Sequence, residues 1–62
     1  MKTAGTMSFV DRGSSDEAII VVRYDEGVIG LAISLKTDGD VEVFMGKDEA
    51  RSLIETLKTA VG

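Results

Sequence analysis

The sequence predicts an α+β domain: an antiparallel β-meander of three or four strands followed by one C-terminal amphipathic helix packed on one sheet face. Three observations support this fold class. Residues 17–45 are rich in β-branched side chains, and much of that segment alternates in polarity as strands do. Two glycine-containing turns divide the segment, and from residue 47 the apolar residues follow helical spacing instead. A chain of 62 residues has room for one small domain, residues 1–62.

The middle of the chain, residues 17–45, is predicted to form the β-meander. Its first strand, Glu17–Tyr24, ends just before a turn in which Gly27 can adopt the positive φ of a short hairpin loop. The second strand, Val28–Leu35, alternates strictly, and an Asp-Gly turn separates it from the third, Val41–Met45. The side chains predicted to lie under the helix are Ile29, Leu31, Ile33, Val41 and Val43.

Residues 47–61 are predicted to form the helix, because their apolar side chains recur at intervals of three and four. Gly46 is a suitable N-cap residue. Asp48 and Glu49 complement the positive end of the helix dipole, and Lys58 lies near its negative end. The apolar residues of this segment, called the helix stripe below, are Ala50, Leu53, Ile54, Leu57, Ala60 and Val61.

Residues 1–16 are open to two interpretations. Residues 6–10 contain β-prone side chains and can add an edge strand, with residues 11–16 as the loop that leads into the meander. Alternatively, residues 1–16 form a flexible N-terminal arm that orders on contact with a partner. We favour the edge strand.

The sheet face opposite the helix is also predicted to be covered, because it carries small and apolar residues where polar residues are expected. Small side chains allow close backbone approach, and the nearby Phe44 can fill part of a groove. We expect a second copy of the chain on this face, forming a homodimer, since two-fold dimers are the commonest soluble assemblies. The alternative cover is the N-terminal arm with Met7 and Phe9. The predicted dimer seam consists of Val28, Gly30, Ala32 and Ser34.

Composition argues against several classes of partner. The net charge is −4, and the seven Lys and Arg residues are scattered, so we expect no direct nucleic-acid binding. The sequence has no apolar run typical of a signal peptide or a membrane span, and it has no cysteine. We therefore expect a cytoplasmic protein that does not bind membranes.

Function is predicted to be binding rather than catalysis. The chain has no His or Cys, and we expect no catalytic residue, no metal site and no cofactor. Arg23 and Tyr24 beside a turn, together with Phe44, are the predicted anchors for a larger protein that this chain docks on or regulates. A small-molecule or nucleotide site at the dimer seam is the alternative. A structural subunit of a larger assembly is a third possibility.

Overall fold

A computed structural model describes all 62 residues as four antiparallel strands followed by one helix. The strands are arranged in chain order, so the sheet is a simple meander, and its last strand leads directly into the helix. This arrangement confirms the predicted α+β fold class. The N-terminal residues form a strand longer than the 6–10 segment. The elements are β1 (Lys2–Val10), β2 (Glu17–Asp25), β3 (Val28–Leu35), β4 (Gly39–Gly46) and α1 (Lys47–Val61).

The strand register determines which side chains share a face. Leu31 on β3 pairs with Val22 on one side and Val43 on the other, and Met7 on β1 pairs with Ile20. Paired residues of an antiparallel sheet point the same way, so these positions form one continuous apolar surface. We call it the helix-side face: Met7, Phe9, Ile20, Val22, Ile29, Leu31, Ile33, Val41, Val43 and Met45.

Glycines close the two tight turns of the meander. Gly27, between β2 and β3, has a φ of 69°, and Gly39, at the start of β4, has a φ of 85°. A Cβ atom is disfavoured in this left-handed region, which is why glycine occupies both positions. The two turns fix the register of β3 against both of its neighbours.

The helix begins at a well-defined cap. Gly46 has extended backbone, and the Gly46 N–H donates a hydrogen bond of 2.7 Å to the Glu49 side chain. At the other end, the Gly62 N–H donates to the Lys58 carbonyl at 3.0 Å. Asp48 and Glu49 in the first turn and Lys58 in the last turn have the charges that the helix dipole favours, as the sequence predicts.

The helix covers only part of the helix-side face. Its backbone lies against β3 and β4 and does not approach β1 or β2. Leu53 is half-buried, whereas Ile54 and Leu57 are 51% and 55% exposed. Only two of the 62 residues are buried, namely Ala18 and Gly30. The predicted packing of the helix on one face therefore holds, but its cover is thinner than predicted. Ile29 and Leu31 are half-buried, whereas Ile33, Val41 and Val43 are 39%, 59% and 46% exposed. No helix here has the length and apolar character needed to cross a membrane.

Replacing Glu49 by Ala is expected to lower the free energy of unfolding by about 1 kcal/mol, because the Gly46 N–H loses its partner and the helix dipole loses a favourable charge. Urea denaturation followed by circular dichroism, at one fixed protein concentration, measures this change. Glu55→Ala is the matched control, since Glu55 makes only an exposed ion pair with Lys58 at 3.7 Å. Equal effects of the two substitutions would contradict the assigned cap.

Candidate functional site

The three predicted anchor residues do not share one surface. Arg23 and Phe44 pair with Gly30 from opposite sides of β3, so both lie on the sheet face away from the helix. Tyr24 is the next residue along β2 and pairs with Ile29, so it lies on the helix side. There it lines an open depression beside the β2–β3 turn. The structure therefore groups Arg23 with Phe44 and separates Tyr24 from them.

The face away from the helix, called the outer face below, is organised around Gly30. A Cβ atom at this position would lie 3.2 Å from the Cε1 atom of Phe44 and 3.7 Å from the Met1 methyl carbon. Gly30 is buried as a result, while Phe44 itself is 59% exposed. Because Gly30 has no side chain, one face of the aromatic ring packs against the backbone of β3 and the other face is exposed to solvent.

A charged pair lies beside the aromatic ring. The Arg23 Nη1 atom is 3.2 Å from the Glu42 Oε2 atom, and the two side chains are 43% and 34% exposed. The pair spans β3 from β2 to β4. An exposed pair of this kind contributes little to stability, about 0–1 kcal/mol. Both residues of the pair lie on hydrogen-bonded strands rather than on a loop, and on the same face as Phe44.

The residues of the predicted dimer seam lie on the outer face in varied surroundings. Gly30 is covered by Phe44 and Met1, Ala32 and Ser34 are half-buried, and Val28 is 38% exposed. The outer side of β1 adds the hydroxyl groups of Thr6 and Ser8. The outer face is therefore mixed. Besides Phe44, the Arg23–Glu42 pair and these hydroxyl groups, it carries exposed apolar side chains, namely Val10, Ile19 and Val28.

The helix side contains a larger feature that the sequence did not reveal. A cleft of about 450 Å³ runs between α1 and the sheet, and all of its lining side chains are apolar. Met7, Ile20 and Val22 line it from β1 and β2, and Leu53 and Leu57 line it from the helix. The sequence prediction had the helix covering this face. Sheet width was the available signal, since one helix about 10 Å across covers about two strands spaced about 4.8 Å apart.

Two aspartates form hydrogen bonds in the loops at the end of the sheet that carries the β1–β2 loop and the β3–β4 turn. Asp16 accepts hydrogen bonds from both the hydroxyl and the backbone N–H of Thr37, joining the β1–β2 loop to the β3–β4 turn. The Thr37 hydroxyl is the main cause that holds the pKa of Asp16 below its usual value. Asp11 accepts from the Ser14 hydroxyl at 2.7 Å, which lowers its pKa in the same way. No cluster of His, Cys, Asp or Glu converges into a metal-binding arrangement.

Comparisons with protein families, with curated proteins and with solved structures find no match to this chain.

Replacing Asp16 by Asn is expected to lower stability at neutral pH and to make it less sensitive to acid. Folding lowers the pKa of Asp16, so its carboxylate stabilises the folded state above the unfolded-state pKa, near 3.8. That stabilisation is lost as the pH falls through the lower folded-state pKa. The difference in urea midpoint between wild type and variant should therefore persist from neutral pH to about pH 5 and vanish in stronger acid.

The control for this experiment is Asp38→Asn, because Asp38 lies in the same turn region and makes no side-chain hydrogen bond or ion pair. Its urea midpoint at neutral pH should match wild type. A loss of stability in Asp16→Asn that is the same at every pH would contradict a role for the carboxylate charge.

Proposed function

We propose that this chain is a small, non-catalytic, cytoplasmic protein-binding module that works as a homodimer and docks on or regulates a larger protein. The observation that carries the proposal is the juxtaposition on the outer face of a 59% exposed Phe44 with the guanidinium of Arg23. Aromatic and arginine side chains supply much of the energy of protein interfaces.

The placement of these anchors on strands supports a binding role. Arg23 lies within β2 and Phe44 within β4, and both strands are hydrogen-bonded to β3 between them. Side chains on a paired sheet need little further ordering when a partner binds, so less conformational entropy is lost on association. Gly30 also limits the motion of the Phe44 ring, because the ring packs on the sheet where Gly30 has no side chain.

Charge favours a partner with a basic and apolar surface. The chain has a net charge of −4, and Glu42 and Asp40 lie on the same face of β4 as Phe44, two and four residues before it. Complementary charge steers association and selects among partners more than it adds affinity. A partner cation would pair with Glu42, and Arg23 would then be free to meet a carboxylate or a carbonyl group of the same partner.

Phe44→Ser is expected to weaken partner binding by about tenfold to a hundredfold. The wild-type chain is immobilised and used to capture a protein from lysate of the source cells, and the affinity of the captured protein is then measured for each variant. Val10→Ser is the matched control, because Val10 is also 59% exposed and lies on the outer side of β1, away from Arg23. Equal loss in both variants, or no protein retained by wild type, would reject the proposal.

Gly30→Val tests the same surface without removing the aromatic residue. The new side chain would collide with Phe44, whose ring lies 3.2 Å from where a Cβ atom at Gly30 would stand. The ring must then leave its place on β3, and we expect partner affinity to fall by about tenfold. Circular dichroism checks that the variant keeps its secondary structure. Unchanged affinity in a folded Gly30→Val variant would show that the position of the ring is unimportant.

A binder of apolar small molecules is the second candidate, and the cleft beside α1 favours it. Its volume of about 450 Å³ falls within the usual range for ligand sites. The lining has no polar group for a phosphate or a sugar, so a long-chain fatty acid fits it better than a nucleotide does. A rise in melting temperature with fatty acid, and none with nucleotides, would support this candidate.

A further inference from the structure

A single copy of this chain exposes more surface than a closed domain of its size. Its accessible surface is 4893 Å², whereas a compact protein of 6.6 kDa exposes about 3,900 Å². Its radius of gyration is 12.6 Å, whereas a compact domain of this length has about 10.6 Å. The excess surface, about 1,000 Å², is slightly more than each partner contributes to a stable interface, about 800 Å².

Part of the excess lies on the two strands that the helix does not reach, and part lies on β4, where Val41 and Val43 are 59% and 46% exposed. Met7 and Phe9 on β1 are 57% and 40% exposed, although they belong to the helix-side face. Ile20 and Val22 on β2 are half-buried. Four strands spaced about 4.8 Å apart make a sheet about 19 Å wide, and a helix with its side chains is about 10 Å across. The uncovered width over β1 and β2 is close to that of one further helix.

The helix also has apolar side chains that nothing covers. Ile54, Leu57 and Val61 belong to the helix stripe, yet they are 51%, 55% and 85% exposed. Four of the six charged residues of α1 form ion pairs within the helix, Arg51 with Asp48 at 3.2 Å and Lys58 with Glu55 at 3.7 Å. The exposed part of the stripe is therefore an apolar surface that requires no charged partner. Each copy thus carries an uncovered pair of strands and an unpartnered helix surface.

We propose that the occupant of the cleft is the helix of a second copy of this chain. In this arrangement the partner's α1 lies beside the first α1, over β1 and β2, and the first helix does the same on the partner's sheet. A two-fold axis makes the exchange reciprocal, so one interface covers both surfaces and the assembly closes as a dimer. The helix of 15 residues is about 22 Å long, and it fits along β2, which spans about 30 Å.

This placement differs from the seam that the sequence predicts on the outer face. On that face Gly30 is already covered by Phe44 and Met1, and Arg23 is paired with Glu42. The cleft, in contrast, is lined by apolar side chains alone. Burying it therefore leaves no polar group without a hydrogen-bond partner. The inference rests on the homodimer part of the proposed function, and it leaves the outer face free for the larger protein.

The first test measures solution mass and folding together. Wild type should be a dimer by light scattering down to low micromolar concentration, with a melting temperature that rises with protein concentration. Leu57→Lys places a charge in the cleft and should weaken dimerisation by about a hundredfold or more, with loss of folded structure at the same concentrations. Phe44→Ser should stay dimeric, so failure of the outer-face proposal is distinguishable from failure of this one. A folded wild-type monomer, or a dimer unaffected by Leu57→Lys, would overturn the proposal.

The second test locates the interface and does not depend on an unstable variant. The chain has no cysteine, so a Met7→Cys chain and a Leu57→Cys chain carry one thiol each. One of the two chains is given a mass tag, and the two chains are then mixed. A disulfide should form between the two different chains, because both positions line the cleft. A Phe44→Cys chain mixed with the Leu57→Cys chain is the control and should not cross-link.

Two results of the cross-linking test would overturn the placement. Phe44→Cys chains that link to one another, without any Met7-to-Leu57 product, would move the second copy to the outer face. A monomeric chain whose melting temperature rises with fatty acid, again without the cross-link, would instead assign the cleft to an apolar ligand.

Discussion

The width of the sheet is the constraint on which the rest of the structure depends. Four strands of eight or nine residues present two broad faces, and the chain has only one helix to place against them. That helix leaves β4 directly after Gly46, so it is held close to β4 and β3. The strands β1 and β2 keep their apolar side chains toward the helix side but lie beyond its reach. With one face only partly covered and the other uncovered, only two of the 62 residues are buried.

The two faces of the sheet consequently have different characters. The helix-side face is apolar from β1 to β4, which is the composition of a surface that becomes permanently buried. The outer face combines Phe44, the Arg23–Glu42 pair and the hydroxyl groups of Thr6 and Ser8, a mixture closer to that of surfaces that bind and release partners. Under the proposed function and the proposed dimer, assembly would use one face and recognition the other.

The sequence predicts the elements well because they are encoded locally. Turn glycines such as Gly27 and alternation in β3 place the strands of the meander from residue 17 onward, and helical spacing after Gly46 places α1, whereas the extent of β1 was not encoded as clearly. Alternation also separates Tyr24 from Arg23, since neighbouring residues of a strand face opposite ways, and this rule was available from the sequence alone. Sheet width indicates that one helix covers about two strands, but which two strands it covers was not available, because that depends on the angle at which α1 leaves the sheet. The position of the Phe44 ring over Gly30 is likewise a tertiary property.

Assembly through the helix-side face would also explain how a chain without disulfides is stable. Ordering 62 residues costs about 1.5 kcal/mol each, and a monomer with so little buried surface returns too little apolar burial to balance that cost. If the partner's helix supplies the missing cover, folding and association become one equilibrium, and stability depends on concentration. Loop contacts such as that of Asp16 with Thr37 cannot substitute for it, because they lie in solvent at the far end of the sheet. The concentration of the chain then controls how much folded outer face exists to bind a larger protein.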